Sequence, residues 1–360
     1  MDINLYLKQV TESHSPDLHL KVGRVPLVRL ATGEIFEMQD AEVMTVHSIE
    51  EVIAQILIPE KLVSYKEKQE IDTSYAVMGT GRFRVNVFMD SDGPALAFRS
   101  IPSEIPTLQS LGLPEILKRF TQKSKGLVIV TGPTGSGKST TLAAMLNEIN
   151  ISRRVHIITV EDPIEFVHQP KMALITQREV GTHTQSFPMA IRAALREDPD
   201  VILVGEMRDL ETISSAITLA ETGHLVLATL HTQDAAQSID RIIDIFPPHQ
   251  QAQIRTQLST TLLGVVAQRL IPRADGSGRA LALEILVRND AITNCIKEGN
   301  THQIYSMMQI GKEDGMITLD SSLAELFKNG IISEQDMLLR AHDPELIANL
   351  MQSGVLFSST

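Results

Sequence analysis

The residues best suited to chemistry form one run, Gly132-Pro133-Thr134-Gly135-Ser136-Gly137-Lys138-Ser139-Thr140. It fits G-x-x-x-x-G-K-[ST], the phosphate-binding P-loop. The apolar run Leu127-Val128-Ile129-Val130 precedes it, and good helix formers follow as far as Asn150. That strand–loop–helix setting is what the motif needs. Glycines let main-chain N–H groups turn inward around phosphate oxygens, and the helix N-terminus adds partial positive charge. On this reading residues 132–140 bind ATP, Lys138 reaches its β- and γ-phosphates, and the Ser139 hydroxyl ligates Mg²⁺.

Transfer of a phosphoryl group to water also needs a placed water and compensated charge. Thr159-Val160-Glu161-Asp162-Pro163-Ile164-Glu165 sets three carboxylates within five residues at a strand end. Such crowding is costly unless Mg²⁺ or a polarised water offsets it; the alternative is a solvated acidic turn. In Asp198-Pro199-Asp200-Val201-Ile202-Leu203-Val204-Gly205-Glu206 an apolar strand ends in an acid, the Walker B arrangement. Glu206 would hold the Mg²⁺ shell or the attacking water. Two histidines bracket the apolar run 225–230. His231 falls where that strand leaves the core and could donate to the γ-phosphate, whereas His224 stands open between a functional and a structural role. Arg192 and Arg196, spaced i, i+4 on one predicted helix, meet either phosphate, a neighbouring subunit, or acids such as Glu197 and Asp198.

These residues need elements to position them. Continuous apolar runs predict strands at 127–131, 155–160, 201–205 and 225–230, buried on both faces as parallel strands are. Helices alternate with them. One runs from Leu210 to Thr222, capped by Asp209, with Ile213, Ala216, Ile217 and Ala220 inward and Gly223 at its end. Residues 115–265 therefore read as a doubly wound α/β sheet with its ligand at the carboxyl ends of the strands. Residues 1–100 read as a smaller α/β domain. There Ser48-Ile49-Glu50-Glu51 has a capping-box pattern, and Ile49, Val52, Ile53, Ile56 and Leu57 share one helical face. Arg82-Phe83-Arg84-Val85-Asn86-Val87-Phe88 alternates as a strand does, and Ala95–Arg99 predicts another. Arg82, Arg84 and Arg99 are a solvated face or phosphate ligands across a domain interface. Residues 101–114, with Pro102, Pro106 and Pro114, form the expected interdomain linker, semi-rigid and able to hinge. From about 266 the chain reads as mostly helical, with the stripe Leu319, Leu323, Leu326 and Phe327 ending at Gly330.

Composition narrows the function classes. The chain has 360 residues, enough for two cores, and a net charge of −12 that disfavours a protein coating nucleic acid. Its single cysteine, Cys295, allows neither an internal disulfide nor a cysteine metal cluster and suits a reducing cytoplasm. No signal peptide and no membrane-spanning run is expected, so any membrane role passes through a partner.

Four boxes stand in order: GPTGSGKST (132–140), TVEDPIE (159–165), DPDVILVGEMRD (198–209) and GHLVLATLHT (223–232). Together they resemble the Walker A, Asp box, Walker B and His box of the secretion/type IV pilus ATPase superfamily. The likeness runs from Ser15-Pro16-Asp17-Leu18-His19-Leu20 through Thr301-His302-Gln303-Ile304-Tyr305-Ser306 and is nearest to the pilus-retraction (twitching motility) branch. It implies a PAS-like N-terminal domain, a RecA-like C-terminal domain and a homohexameric ring with ATP between the two domains. It implies Glu165 as general base, Glu206 as the Walker B acid and His231 as the His-box residue. It places Arg82, Arg84 and Arg99 in the domain that closes over nucleotide. The implied partner is an inner-membrane pilus platform protein, at the cytoplasmic face of the membrane, with an accessory retraction paralogue possible and no direct nucleic-acid contact. A single cysteine excludes the four-cysteine zinc module of extension and type II secretion ATPases, and the P-loop begins too early for their long N-terminal extension. The retraction branch's AIRNLIRE-like stretch corresponds to Ala291-Ile292-Thr293-Asn294-Cys295-Ile296-Lys297-Glu298, with Thr293 and Lys297 at the arginine positions. Alternatives are the accessory paralogue itself, a nucleic-acid-stimulated RecA-like motor, or a nucleotide-binding scaffold that does not turn over.

Overall fold

The computed structural model describes residues 2–13, 15–30, 34–39, 41–101, 104–345 and 347. The chain divides into two compact units. The first is Met1–Ile105 with Pro163–Val167, and the second is Pro106–Asp162 with His168–Thr360. The division at 105/106 falls within the stretch 101–114, whose Pro102 lies outside the described residues.

Six strands form the antiparallel sheet of the first unit: β1 Asp17–Lys21, β2 Leu27–Arg29, β3 Ile35–Glu37, β4 Glu70–Val77, β5 Gly81–Asp90 and β6 Gly93–Ile101. Their order is β3-β2-β1-β6-β5-β4. Alternation along β5 buries Phe83, Val85 and Val87 and leaves Arg82, Arg84 and Asn86 on the opposite face. The buried face packs on helices Ile3–Glu12 and Val46–Ile56 through Ile3, Leu7, Ile49, Val52 and Ile53. The capping box of the second helix lies three residues earlier than its Ser48 pattern suggests. Thr45 is the N-cap: its hydroxyl accepts from the Ser48 N–H at 3.1 Å, and the Ser48 hydroxyl accepts from the Thr45 N–H at 2.9 Å. Ser48 answers the cap in place of an acid, so Val46 and His47 join the helix.

Seven strands form the sheet of the second unit: β7 Gly126–Thr131, β8 His156–Glu161, β9 Leu174–Glu179, β10 Val201–Val204, β11 Leu225–Thr229, β12 Leu262–Pro272 and β13 Arg279–Val287. The order is β13-β12-β7-β11-β10-β8-β9, parallel except for the β12–β13 pair. Ile129, Ile202, Val204, Val226 and Ala228 pack on one face against Ile213, Ala216 and Ile217. Val128, Val130, Leu203 and Leu227 pack on the other against Leu142, Met145 and Ile149. Each such valine, leucine, isoleucine or methionine, fully buried, contributes about 1.5–3 kcal/mol, so this two-sided burial sets the strand order and orientation on which the site depends. The helix Leu210–Glu221 begins at Asp209, whose carboxylate accepts from the Thr212 N–H at 2.9 Å.

The helical region expected from about 266 starts instead at Asp290. Residues 262–287 are mostly the two strands β12 and β13, and the helix Asp290–Glu298 follows. The apolar stripe Leu319, Leu323, Leu326 and Phe327 lies on the helix Leu319–Lys328 and packs against Ile271 and Ala282 of this hairpin. Among the described residues no helix is long and apolar enough to cross a membrane.

Candidate active site

Strands β7, β11, β10 and β8 are adjacent and parallel, so their carboxyl ends share one edge of the sheet. The P-loop follows β7, His231 follows β11, Glu206 follows β10, and Glu161 ends β8. Topology therefore gathers four separated sequence motifs at the place where doubly wound sheets bind ligands.

The P-loop glycines carry the backbone the loop requires. Gly132, Gly135 and Gly137 have φ of 137°, 76° and 90°, a region that disfavours other residues. A Cβ on Gly132 would lie 2.4 Å from the main-chain oxygen of Gln268 and 2.8 Å from the Ser136 Oγ. Lys138 begins the helix Lys138–Ser152, and its Nζ donates to the carbonyls of Gly132 at 2.8 Å and Pro133 at 3.1 Å. The Ser136 Oγ is buried without a hydrogen-bond partner. A cradle shaped by glycine, a buried hydroxyl with bonding capacity left, and a lysine folded over the loop all fit a phosphate group. For Mg²⁺ the oxygens of Ser139 and Glu206 fit a hard cation. Among the described residues no group of three His, Cys, Asp or Glu side chains could hold a metal; the rest of a Mg²⁺ shell would come from water and nucleotide oxygens.

Glu206 is held at the end of β10 by its neighbours. Its Oε1 accepts from the His231 Nε2 at 3.1 Å and from the Arg208 guanidinium. Partial burial works to raise the pKa of this carboxyl, but Arg208 and His231 outweigh it and hold it below the usual range. The Gly205–Glu206 turn is fixed on both sides: the Gly205 N–H donates to the Val160 carbonyl at 2.8 Å, and the Met207 N–H to the Thr229 carbonyl at 3.0 Å. The Thr229 hydroxyl also donates to the Gly205 carbonyl. One strand over, the Thr131 hydroxyl bonds to the Thr232 carbonyl and the Thr232 hydroxyl, both at 2.8 Å. The last residue before the P-loop is thus tied to the residue after His231.

The Asp-box acids separate. The Glu161 Oε1 accepts from the Thr159 hydroxyl at 2.7 Å and the Gln177 amide at 3.2 Å, and Gln177 also accepts from the His168 N–H at 2.8 Å. Glu161 therefore has a structural occupation. Asp162 is exposed and contributes to raising the pKa of Arg208, whose chief cause is its hydrogen bond to Glu206. Glu165 is exposed and lies in Pro163–Val167, which belongs to the first unit.

The arginines also lie in the first unit, on the sheet face opposite its core. Register sets Arg84 directly across from Arg99, with Ser74 and Asp17 flanking them in the same row. Such like-charge pairs cost energy unless acids intervene. Arg99 donates to Asp17 at 2.8 Å, which raises its pKa; Arg84 pairs with Asp72 at 3.8 Å, and Arg82 donates to the Ser74 hydroxyl at 2.7 Å.

His224 takes the structural role: its Nδ1 donates to the Leu219 carbonyl at 3.0 Å, at the amino end of β11, away from the P-loop edge. Arg192 pairs with Glu211, and Arg196 lies beyond the helix Phe187–Ala194, so the two do not share a helix face. Sequence reasoning missed Arg208, Gln177 and Gln268. Only Gln268 carried a signal, as one of two adjacent polar residues, with Arg269, inside the otherwise apolar run 262–271.

The model of the family described as "Type II/IV secretion system protein" matches residues 2–329. A Pseudomonas aeruginosa protein named type IV pilus retractation ATPase PilT is 46% identical over 96% of this chain and 99% of its own. The type IV pilus ATPase PilU of the same organism is 38% identical over 98% of this chain and 92% of its own. A crystal structure of the pilus retraction motor PilT with bound ADP superposes with a TM-score of 0.90 at 44% identity, covering 97% of this chain and 99% of that one.

Proposed function

The chain belongs to the type II/IV secretion system protein family, and from that premise we propose that it is a motor ATPase that retracts type IV pili. The observation that carries the reading is the gathering of the P-loop, Glu206, His231 and the acidic end of β8 along one edge of a parallel sheet. Similarity over nearly the full length to a pilus-retraction ATPase supports it.

Main-chain N–H groups of residues 134–139 and the Lys138 ammonium bind the phosphates of ATP. Mg²⁺, held by Ser139 and Glu206 with nucleotide oxygens, would supply charge neutralisation on the transferred phosphoryl group. Glu165 orients the attacking water and takes its proton as the water oxygen bonds to the γ-phosphorus and the bond to ADP breaks. His231 reports the change through Glu206. One or more of Arg82, Arg84 and Arg99 in the first unit answer the phosphates, exchanging an acid or hydroxyl partner for them. Subunits assemble head to tail in a homohexameric ring, since a heterologous contact whose rotation closes gives a ring in which every site has the same neighbour. The ring works in the cytoplasm on a platform protein of the inner membrane and needs no nucleic acid.

The test is pilus retraction in cells lacking the gene, complemented with wild type or Glu206→Ala. Only wild type should restore retraction to hyperpiliated, non-twitching cells. Normal retraction in the deletion strain would reduce the chain to an accessory paralogue. The higher identity to PilT than to PilU favours the main reading.

A further inference from the structure

Gln268 lies in β12 and is completely buried. Its neighbour Ala267 pairs with Thr131 of β7, the residue before the P-loop. The main-chain oxygen of Gln268 reaches within 2.4 Å of the position a Cβ on Gly132 would occupy. Its side-chain Nε2 donates to the Thr141 hydroxyl at 2.7 Å. Thr141 lies in the first turn of the helix Lys138–Ser152, where its N–H donates to the Gly137 carbonyl at 3.0 Å. One residue therefore touches the loop where it leaves the sheet and where it enters the helix.

Packing does not account for the carboxamide. The Gln268 Oε1 is buried without a hydrogen-bond partner, as is the Ser136 Oγ, which lies 2.8 Å from the same Gly132 position. Two unpaired polar atoms beneath one loop are expensive, and an apolar side chain of the same length would avoid half of that cost. A glutamine retained there is better explained by the loop it supports.

We propose that Gln268 is a positioning residue of the nucleotide site. Its main chain and carboxamide hold Gly132 and Thr141 at a fixed separation, so that the loop N–H groups, Lys138 and Ser139 meet the phosphates in one geometry. The proposal rests on the nucleotide-binding reading above.

The test uses full-length protein carrying Gln268→Met, Thr141→Val, or both. Gln268→Met keeps length and removes both amide atoms; Thr141→Val keeps shape and removes the hydroxyl. ADP affinity is measured by calorimetry, and the melting temperature without nucleotide is recorded alongside. Each single change should weaken ADP binding roughly tenfold, the equivalent of about 1.4 kcal/mol. The double change should also cost roughly tenfold rather than a hundredfold, because both remove one interaction. The KM for ATP should rise by more than kcat falls; the melting temperature of Gln268→Met should stay close to wild type, while Thr141→Val, which strands the buried Nε2, should also melt a few degrees lower. If Gln268→Met fails to fold, Thr141→Val carries the test alone. Variants that bind ADP as wild type does, or that melt early with unchanged affinity, overturn this inference and leave nucleotide binding intact. A wild type that binds neither ADP nor ATP overturns both.

Discussion

The Nε2 of His231 lies 3.1 Å from the Oε1 of Glu206, joining the exits of the adjacent parallel strands β11 and β10. The same carboxylate oxygen accepts from Arg208, and the two partners outweigh burial to keep Glu206 ionised at neutral pH. Charge, rather than shape, is then what Glu206 brings to the site. Glu206→Gln preserves the shape and removes the charge. It should lower ATP turnover by at least about a hundredfold, the scale of removing one preorganised electrostatic group. ADP binding should stay within a few-fold. Near-normal hydrolysis by this variant would take Glu206 out of the catalytic machinery.

His231→Ala leaves Glu206 its Arg208 partner, so a smaller effect is expected. A fall in kcat of roughly tenfold, with little change in KM, is the scale of one lost hydrogen bond made to a charged group. Steady-state kinetics decide the matter. A change confined to KM would mean that His231 contributes to binding and not to turnover.

Lys138 donates to the carbonyls of Gly132 and Pro133, bonds it must give up to reach phosphate. Lys138→Ala should therefore spare the fold and remove nucleotide-dependent stabilisation. A ligand at 100 times its Kd stabilises wild type by about 2.7 kcal/mol; the variant should show no melting-temperature rise with ADP and Mg²⁺. A full thermal shift in Lys138→Ala would count against the P-loop as the phosphate site.

The parallel strands could be read because burial on both faces writes them as unbroken apolar runs, as in Val201–Val204 and Leu225–Thr229. Strand β12 defeated the same logic. Gly264 sits in it where a Cβ would meet the Phe120 ring and the Leu286 carbonyl, and Gln268 and Arg269 break the apolar run. The strand also follows the helix Pro248–Thr261 with no turn residues between them. Edge strand β9, Leu174–Glu179, is mostly polar and half-buried, so neither an apolar run nor a clean alternation marks it. At the site, motif spacing singled out the P-loop, Glu206 and His231, which follow adjacent parallel strands of the sheet. It gave no means of separating Glu161, occupied by Thr159 and Gln177, from the acids beside it. Position along the strand set His231, at its carboxyl end, towards the ligand, but it left His224 open, because the Leu219 carbonyl that occupies His224 is not marked in the sequence.

The last prediction concerns Glu284 in β13. It is almost fully buried, and its Oε1 accepts from the N–H of Ala235, the first residue of the helix Ala235–Asp244. Burial pushes its pKa up to about 7, against the opposing pull of the Ala235 N–H. Because the folded value exceeds the unfolded one, the folded state holds its proton more tightly. The stability this gives is fully present below about pH 4.5 and is lost as pH rises through about 7. Glu284→Gln keeps an oxygen for Ala235 and cannot ionise. Urea unfolding at pH 5 and pH 8 should show wild type losing about 2–3 kcal/mol more than the variant across that interval, with the variant the more stable at pH 8. Parallel pH profiles for the two proteins would mean that Glu284 is already ionised in the folded chain, with a charge partner strong enough to offset its burial.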